Sequence, residues 1–337
     1  MDNKKTKYTK PIDLRKFNRD NQWRFKIAGL QKEIAGKLVN ATIELKSCPI
    51  CGSPDSKHFV TIYEYPYHEC AVCGHLYSKR PPTEDSVALL YNEDKEGNVL
   101  SGQAEIYIQK ELYDKRVNDI AAPKVAFVAE SLKPGGKWVD IGAGVGDLVL
   151  AARKNGWDAV GFESDAHEVA FATQMGSNVV NKFLTPEDMV LLKDADVVST
   201  INVLEHILNP KALVNSIAAN LPVGAHFVFE VPRFPSLSAL VNRCFPDLAA
   251  RNIYAPDHLH LFSDRSAEIM LDEAGLEPVS CWFFGQDVYE LITNCLAQGN
   301  FENHDLIDKV LSLTNQLQAI VDQNQLSDTM LMLTKKK

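Results

Sequence analysis

Seven short, mostly apolar runs follow one another from residue 138 to residue 333. They occupy residues 138–141, 158–163, 177–183, 195–201, 225–231, 278–284 and 329–333. Apolar runs of this length are typical of strands that are buried on both faces of a sheet. A helical pattern of apolar residues starts directly after the first run, at Leu148. This order of elements predicts an α/β fold.

A glycine turn joins the first run to that helix, with glycines at positions 142, 144 and 146. A strand, a glycine turn and a helix together form the opening unit of nucleotide-binding α/β folds. Glycine permits a positive φ and has no Cβ, so a ligand can lie against the main chain. The spacing G-x-G-x-G differs from the G-x-G-x-x-G of dinucleotide folds. Asp140, just before the turn, suits a cationic or hydroxyl-bearing ligand better than a pyrophosphate.

Residues 140–146 resemble motif I of class I S-adenosylmethionine-dependent methyltransferases, D-x-G-x-G-x-G. The resemblance implies a Rossmann-like class I methyltransferase fold with a seven-stranded sheet whose last strand is antiparallel. It also implies S-adenosylmethionine as the cofactor, with the loop around the amino-acid end of that cofactor. The cofactor residues implied here are Asp140, Gly142, Ala143, Gly144 and Gly146. The alternative is a glycine turn of the kind that any α/β protein can contain.

Two further segments follow strand ends, where open α/β sheets bind their ligands. Glu163 ends the second run, and a carboxylate there can accept hydrogen bonds from ribose hydroxyls; the alternative is a solvated carboxylate at the sheet edge. Residues 202–210 follow the fourth run and resemble motif IV of the same family. The resemblance places Asn202 and Glu205 at the cofactor and His206 at the cofactor or the substrate. Alternatively, Glu205 and His206 cap the following helix.

Residues 254–263 concentrate side chains that can move protons. A histidine can take a proton near neutral pH, and an adjacent carboxylate can orient it. The segment resembles I-Y-H-E-H-x-x-x-F-S of bacterial sugar C-methyltransferases. That resemblance implies His258 as the base, Asp257 as its orienting carboxylate and Tyr254 as a helper, with His206 stabilising an enolate. Tyr254 lies one residue further from the histidine than in that family. In the alternative interpretation, His258 and His260 only hydrogen-bond the loop to the core.

Two C-x-x-C pairs, eighteen residues apart, precede this region. They consist of Cys48, Cys51, Cys70 and Cys73. This spacing is typical of a zinc ribbon, and four thiolates close the coordination shell of a structural Zn²⁺. The sequence that follows the second C-x-x-C pair is similar to that of methyltransferases with an N-terminal zinc module, which include bacterial sugar C-methyltransferases.

The bulk properties limit the partners of this chain. Its 337 residues are 45% hydrophobic and 23% charged, as in ordinary globular proteins. No run is long enough to cross a bilayer, and the N-terminus lacks the apolar core of a signal peptide, so we expect a cytoplasmic protein. The net charge of −9 disfavours a nucleic-acid partner, because sequence-independent binding relies on a basic surface.

We predict five segments along the chain. These are a partly helical arm (1–46), the zinc ribbon (47–80), a linker (81–115), the methyltransferase core (116–284), and helices with the final strand (285–337). A helix is expected over residues 115–132, which Pro123 should kink or split. The pattern over residues 285–325 predicts helices that form a lid or the face of a homodimer.

The favoured hypothesis is a methyltransferase that acts on a small molecule. The resemblance points to a nucleotide-linked or glycan-precursor sugar, methylated on carbon or oxygen. One alternative is an RNA methyltransferase that reads RNA with its zinc ribbon. Another is a non-catalytic adaptor that keeps the fold and uses the ribbon to bind proteins.

Overall fold

The computed structural model describes residues 5–17, 21–86, 107–248, 251–254, 256–299 and 304–337. Its strands are β1 (Lys5–Tyr8), β2 (Ser56–Ile62), β3 (Tyr65–Cys70), β4 (Leu76–Ser78), β5 (Lys137–Ile141), β6 (Asp158–Glu163), β7 (Val179–Asn181), β8 (Val197–Ile201), β9 (His226–Pro232), β10 (His260–Leu261), β11 (Leu276–Phe284) and β12 (Thr329–Lys336). Its α-helices are α1 (Asn21–Leu38), α2 (Lys110–Lys115), α3 (Ala122–Ala129), α4 (Asp147–Lys154), α5 (Ala166–Gln174), α6 (Pro210–Asn220), α7 (Leu237–Cys244), α8 (Asp264–Ala274), α9 (Asp287–Gly299), α10 (His304–Ser312) and α11 (Thr314–Gln323). Residues 87–106 of the expected linker lie outside the described residues.

A large sheet runs through the molecule in the order β1-β11-β12-β9-β8-β5-β6-β7. Neighbouring strands are parallel, except that β12 runs antiparallel to β9 and β11. Neighbouring residues of β5 belong to different apolar clusters. Trp138 lies in one cluster and Val139 lies in the other, so both faces of the sheet are covered. This arrangement confirms the predicted Rossmann-like α/β fold and its antiparallel last strand.

Among the described residues, the large sheet has eight strands, which are the seven expected ones and one more. The additional strand is β1, which pairs in parallel with β11, Lys5 opposite Ser280 and Tyr8 opposite Phe283. Without it, β11 would end the sheet with a row of unpaired main-chain groups. The segment is polar and basic, so its sequence carries no strand pattern, and the edge of β11 is what makes it a strand.

The helix expected around Pro123 is continuous along the chain and changes its winding. The residues of α2 lead into a π-helical stretch, Arg116–Ala121, which leads into α3. Pro123 is the second residue of α3, directly after this wider winding. The change of winding next to the proline divides the predicted helix into α2 and α3.

The ribbon, residues 47–80, is joined to the core by main-chain pairing. A second sheet has the order β10-β4-β3-β2, and β10 comes from the segment predicted to carry the catalytic residues. His260 pairs with Tyr77, and Leu261 with Leu76. The ribbon and the segment around His260 therefore form one structural unit, although almost two hundred residues of sequence separate them.

The helices expected over residues 285–325 are present as α9, α10 and α11, and α1 of the N-terminal arm packs on α9. Arg24 of α1 is buried there and donates to Glu290 at 3.0 Å and to Thr293 at 2.5 Å. The homodimer face stays a prediction. Within the described residues, no helix combines the length and the apolarity that a membrane crossing requires.

Candidate functional site

A cavity of about 1160 Å³ opens at the carboxyl ends of β5, β6, β8 and β9. Open α/β sheets bind ligands at this edge. The sequence-predicted residues that line the cavity are Asp140, Gly142, Ala143, Gly144, Glu163, Asn202, Glu205, His206, Tyr254 and His258. Gly146 and Asp257 do not line it. Gly146 instead begins α4, and a Cβ there would lie 2.5 Å from the hydroxyl oxygen of Ser177, so this glycine serves packing.

The glycine turn and Glu163 hold each other in place. Gly142 and Gly144 have φ values of 72° and 51°, which favour glycine. A Cβ on Gly142 would lie 2.6 Å from a methyl carbon of Val203. One carboxylate oxygen of Glu163 accepts from the Gly144 N–H at 2.9 Å, and the other accepts from the Ser164 N–H at 2.7 Å. The carboxylate is therefore fixed at the cavity wall, beside the turn.

Asp140 lies beneath the turn, almost fully buried, and accepts a hydrogen bond from the hydroxyl of Ser199. Burial raises the pKa of its carboxyl group to about 7, because the charged form loses its hydration. The hydrogen bond from Ser199 opposes this shift. Asp140 therefore lies where the sequence predicts it, in an environment that favours the neutral form of its carboxyl group.

Asp257 contacts His206. Its Oδ1 lies 3.1 Å from Nδ1 of His206, so this carboxylate can orient His206. That Asp257 also orients His258 stays a prediction. Adjacent residues direct their side chains differently, so the neighbour of a histidine in sequence need not touch its ring. Nδ1 of His258 instead lies 3.1 Å from the carbonyl oxygen of Asn252, a residue held at φ 63°.

The fold brings His206, His258 and Tyr254 together at the cavity wall. The ring centroids of His206 and His258 are 4.7 Å apart, and those of Tyr254 and His258 are 4.2 Å apart. Burial opposes the charged form of His206, but the charge and hydrogen bonds of Asp257, together with the charge of Glu205, outweigh burial and raise the pKa to about 9. Burial, followed by the nearby His206, lowers the pKa of His258 to about 3. The pair therefore holds one charged and one neutral ring at neutral pH.

The side chain of Glu205 lies at the same cavity wall and has no hydrogen-bond partner among the described residues. It is 0% exposed, and neither of its carboxylate oxygens has a hydrogen-bond partner among the described residues. Burial raises the pKa of its carboxyl group to about 7. The following helix, α6, is capped by Asn209, whose side chain accepts from the Ala212 N–H at 3.1 Å. Capping therefore does not explain Glu205.

His260 takes the structural role that was the alternative for this segment. Its Nδ1 lies 3.2 Å from Nε2 of His75 in the ribbon, and its Nε2 lies 2.9 Å from the carbonyl oxygen of Ile207. Both rings are buried, and burial lowers the pKa of His260 to about 4. This contact ties the ribbon to the segment that follows β8.

Several residues that line the cavity could not be recognised as site residues from the sequence. Lys124 and Glu230 form a buried ion pair at 2.8 Å, and the Asn202 side chain lies 3.4 Å from Glu230. Lys10 reaches the cavity from the N-terminal arm because β1 joins the sheet. Burial, and then the charge of Lys124, lower the pKa of Lys10 to about 7. Only the tertiary structure brings Lys10 to this cavity, since its neighbours in sequence form no motif.

The four cysteines of the ribbon converge on one point. All four Sγ atoms lie within 4.8 Å of one another, with 3.7 Å between Cys48 and Cys73 and 3.5 Å between Cys51 and Cys70. A tetrahedron of thiolates around Zn²⁺ has edges of about 3.8 Å at the usual Zn–S distance. Gly52 and Gly74, at φ 74° and 70°, close the two C-x-x-C turns. The arrangement fits a closed tetrahedral metal site.

Known methyltransferases are similar to this chain. The family model described as "Methyltransferase domain" matches residues 113–281. A SAM-dependent methyltransferase from Archaeoglobus fulgidus is similar in structure, with a TM-score of 0.45 and 17% identity over 67% of this chain and 98% of its own. One from Mesorhizobium loti has a TM-score of 0.44 and 15% identity over 65% and 99%. None of the curated proteins matches this sequence.

Proposed function

Since the chain belongs to the methyltransferase-domain family, we propose that it is an enzyme that transfers a methyl group from S-adenosylmethionine to a small-molecule acceptor. One observation carries this proposal: the glycine turn and the His206–His258 pair line the same cavity. The first suits the cofactor and the second suits an acceptor. A single cavity of about 1160 Å³ has room for both ligands.

The cofactor is assigned to the side of the cavity formed by the glycine turn. The absence of Cβ atoms at Gly142 and Gly144 lets the amino-acid end of S-adenosylmethionine lie against the main chain. Glu163, fixed at the end of β6, would accept hydrogen bonds from the ribose hydroxyls. Asp140, Ala143, Asn202 and Glu205 are assigned to the same ligand because they line the cavity beside it.

The acceptor is assigned to the side formed by His206, Tyr254 and His258. Methyl transfer from a sulfonium is an in-line displacement, so the enzyme mainly has to position and desolvate the two reactants. We propose that the acceptor is activated at the two histidines; proton acceptance by His258 stays a prediction. Lys10, whose Nζ lies 4.9 Å from the centre of the Phe284 ring, lines the cavity, and the phosphates of a nucleotide-linked sugar would favour its charged form.

We propose that the ribbon binds one structural Zn²⁺ through Cys48, Cys51, Cys70 and Cys73. The Sγ distances support this, and four thiolates leave no position for a substrate. The metal would hold the two C-x-x-C turns together and so stabilise the ribbon. Because β4 pairs with β10, a stable ribbon would in turn fix the acceptor side of the cavity.

Calorimetric titration of the zinc-loaded protein with S-adenosylhomocysteine tests the cofactor assignment. We expect one binding site, followed by heat from one member of a panel of nucleotide sugars. Replacement of His258 by Ala should leave the cofactor titration unchanged and remove methyl transfer to that acceptor. No binding of S-adenosylhomocysteine would overturn the proposal in favour of a non-catalytic adaptor. Cofactor binding with transfer to RNA and to no sugar would reject the acceptor class.

A further inference from the structure

We infer that Glu205, His206 and His258 bind a divalent first-row transition-metal ion at the cavity wall, a second metal site distinct from the ribbon. One ligand atom from each residue lies within 4.8 Å of the others. Two imidazole nitrogens and one carboxylate oxygen form a ligand set that leaves further coordination positions open. Those positions would face the cavity that all three residues line.

Glu205 gives the main reason to place a cation here. Its side chain is 0% exposed, and both carboxylate oxygens lack a hydrogen-bond partner in the described part of the chain. A buried carboxylate without partners is costly, and such groups in proteins are normally paired or bind a metal. Hydrogen bonds from Lys124 go to Glu230 instead, so that cation is engaged elsewhere. A metal ion beside Glu205 would satisfy its oxygens.

The two histidines are held as metal ligands usually are. A histidine that binds a metal through one ring nitrogen typically donates the other N–H to a carboxylate or a carbonyl oxygen. His206 has Asp257 at 3.1 Å from Nδ1, and His258 has the carbonyl oxygen of Asn252 at 3.1 Å from Nδ1. Both contacts select Nε2 as the ligating nitrogen. The rings pack edge to face with centroids 4.7 Å apart, and one ring nitrogen of each histidine lies within 4.8 Å of the other.

The ligand types also select the metal. Imidazole nitrogens favour first-row transition ions over Mg²⁺ and Ca²⁺, whereas the four thiolates of the ribbon favour Zn²⁺. Because two histidines and a carboxylate also accept Zn²⁺, the four thiolates should take the first equivalent of Zn²⁺ and leave the second site for another first-row ion. The main-chain segment between β8 and α6 carries Glu205 and His206 next to each other, and the ribbon supports His258, so all three ligands rest on rigid elements.

The catalytic use of this metal rests on the proposed function, whereas its binding does not. An acceptor hydroxyl bound to the ion through oxygen would lose its proton to water more readily. The oxyanion would then attack the methyl carbon of the sulfonium. The carbon–sulfur bond breaks with its electron pair moving to sulfur, which leaves a methyl ether and a neutral thioether. The ion would thus activate the acceptor without proton transfer to His258.

Titration of the full chain, loaded with one equivalent of Zn²⁺, with MnCl₂ tests the site, followed by the electron paramagnetic resonance signal of free Mn²⁺. Mn²⁺ has little preference for thiolates, and the zinc content of the same sample shows that the ribbon keeps its metal. We expect one Mn²⁺ per chain. Glu205→Gln and His258→Gln should each weaken Mn²⁺ binding at least tenfold. Asp257→Asn, which changes a positioning residue, should weaken it by about 10- to 100-fold.

Glu168→Gln is the matched control. Glu168 is also a buried carboxylate of the cavity wall with an unpartnered oxygen, but it lies outside the three ligands. Its variant should bind Mn²⁺ like the natural protein. Absence of stoichiometric Mn²⁺ binding, or equal affinity in the Glu205 variant, overturns the inference. Calorimetry with S-adenosylhomocysteine in the absence of Mn²⁺ shows separately whether the proposed function holds, and circular dichroism shows whether each variant is folded.

Discussion

The hydroxyl of Tyr67, in strand β3 of the ribbon, donates a hydrogen bond to the backbone carbonyl oxygen of His258. Beside this contact, the Ser78 N–H donates to the carbonyl oxygen of Leu259 at 2.8 Å, and β4 pairs with β10. The ribbon thus supports the main chain of the segment that carries a candidate acceptor residue. Structural changes in the ribbon should therefore alter the acceptor side of the cavity.

Loss of one zinc ligand should damage more than the ribbon. We expect Cys70→Ser to remove the zinc, lower the melting temperature by several degrees and abolish methyl transfer, because the ribbon shares an apolar core with the methyltransferase sheet. Metal analysis and thermal unfolding measure these effects. Cys244→Ser is the control, since Cys244 is exposed and far in sequence from both C-x-x-C pairs. A zinc-free Cys70 variant with normal turnover would contradict the proposed support.

A more conservative substitution separates the support of His258 by the ribbon from effects on folding. Tyr67→Phe removes one hydrogen bond and keeps the buried ring, so we expect a loss of about 1 kcal/mol in the free energy of unfolding. Turnover should fall by several-fold through misplacement of His258. The affinity for S-adenosylhomocysteine should stay unchanged, because the glycine turn is built on β5 and β6. An equal loss of cofactor affinity would show that the ribbon acts on the whole cavity.

The glycine turn should tolerate no side chain at Gly142. A Cβ there would lie 2.6 Å from Val203, and the backbone has φ 72°, so Gly142→Ala combines a clash with strain. We expect at least a tenfold loss of affinity for S-adenosylhomocysteine, measured by calorimetry. Gly156→Ala is matched in backbone conformation, with φ 95°, but its Cβ would meet only ordinary contact with Pro134. That control should lose about 1 kcal/mol of stability and keep its affinity. Similar affinities in both variants would refute the assignment.

Glu168 should make the protein less stable as the pH rises. Burial first, and then the charges of Glu163 and Asp165, raise its folded pKa from 4.5 to about 8, while Arg116 opposes the shift and Asp147 adds to it. Between about pH 4.5 and 8 the unfolded chain releases a proton that the folded chain keeps, so stability falls with increasing pH.

The variant Glu168→Gln lacks this titration. Its melting temperature should exceed that of the natural protein by an amount that grows from pH 5 to pH 8 and then levels off. A tenfold change in proton affinity corresponds to about 1.4 kcal/mol, so the difference in the free energy of unfolding should reach a few kcal/mol. Thermal unfolding at a series of pH values gives the curve. A difference that does not change with pH would show that Glu168 is charged in the folded protein.

The sequence by itself determined the features that depend on local pattern. Apolar runs and the glycines between residues 142 and 146 specify buried strands and a tight turn, so the Rossmann-like sheet could be predicted strand by strand. The spacing of the four cysteines likewise indicated a common metal site before any contact was known, because a tetrahedral shell requires two short C-x-x-C turns.

Only the tertiary structure decided which distant residues meet. Asp257 orients His206 because the segment before β10 lies across the end of β8, whereas the sequence alone placed it beside His258. Lys10 reaches the cavity because the edge of β11 accepts β1. Glu205 is buried, and neither of its carboxylate oxygens has a hydrogen-bond partner among the described residues. Such contacts follow from strand pairing and packing across long separations in sequence, for which no periodic pattern exists.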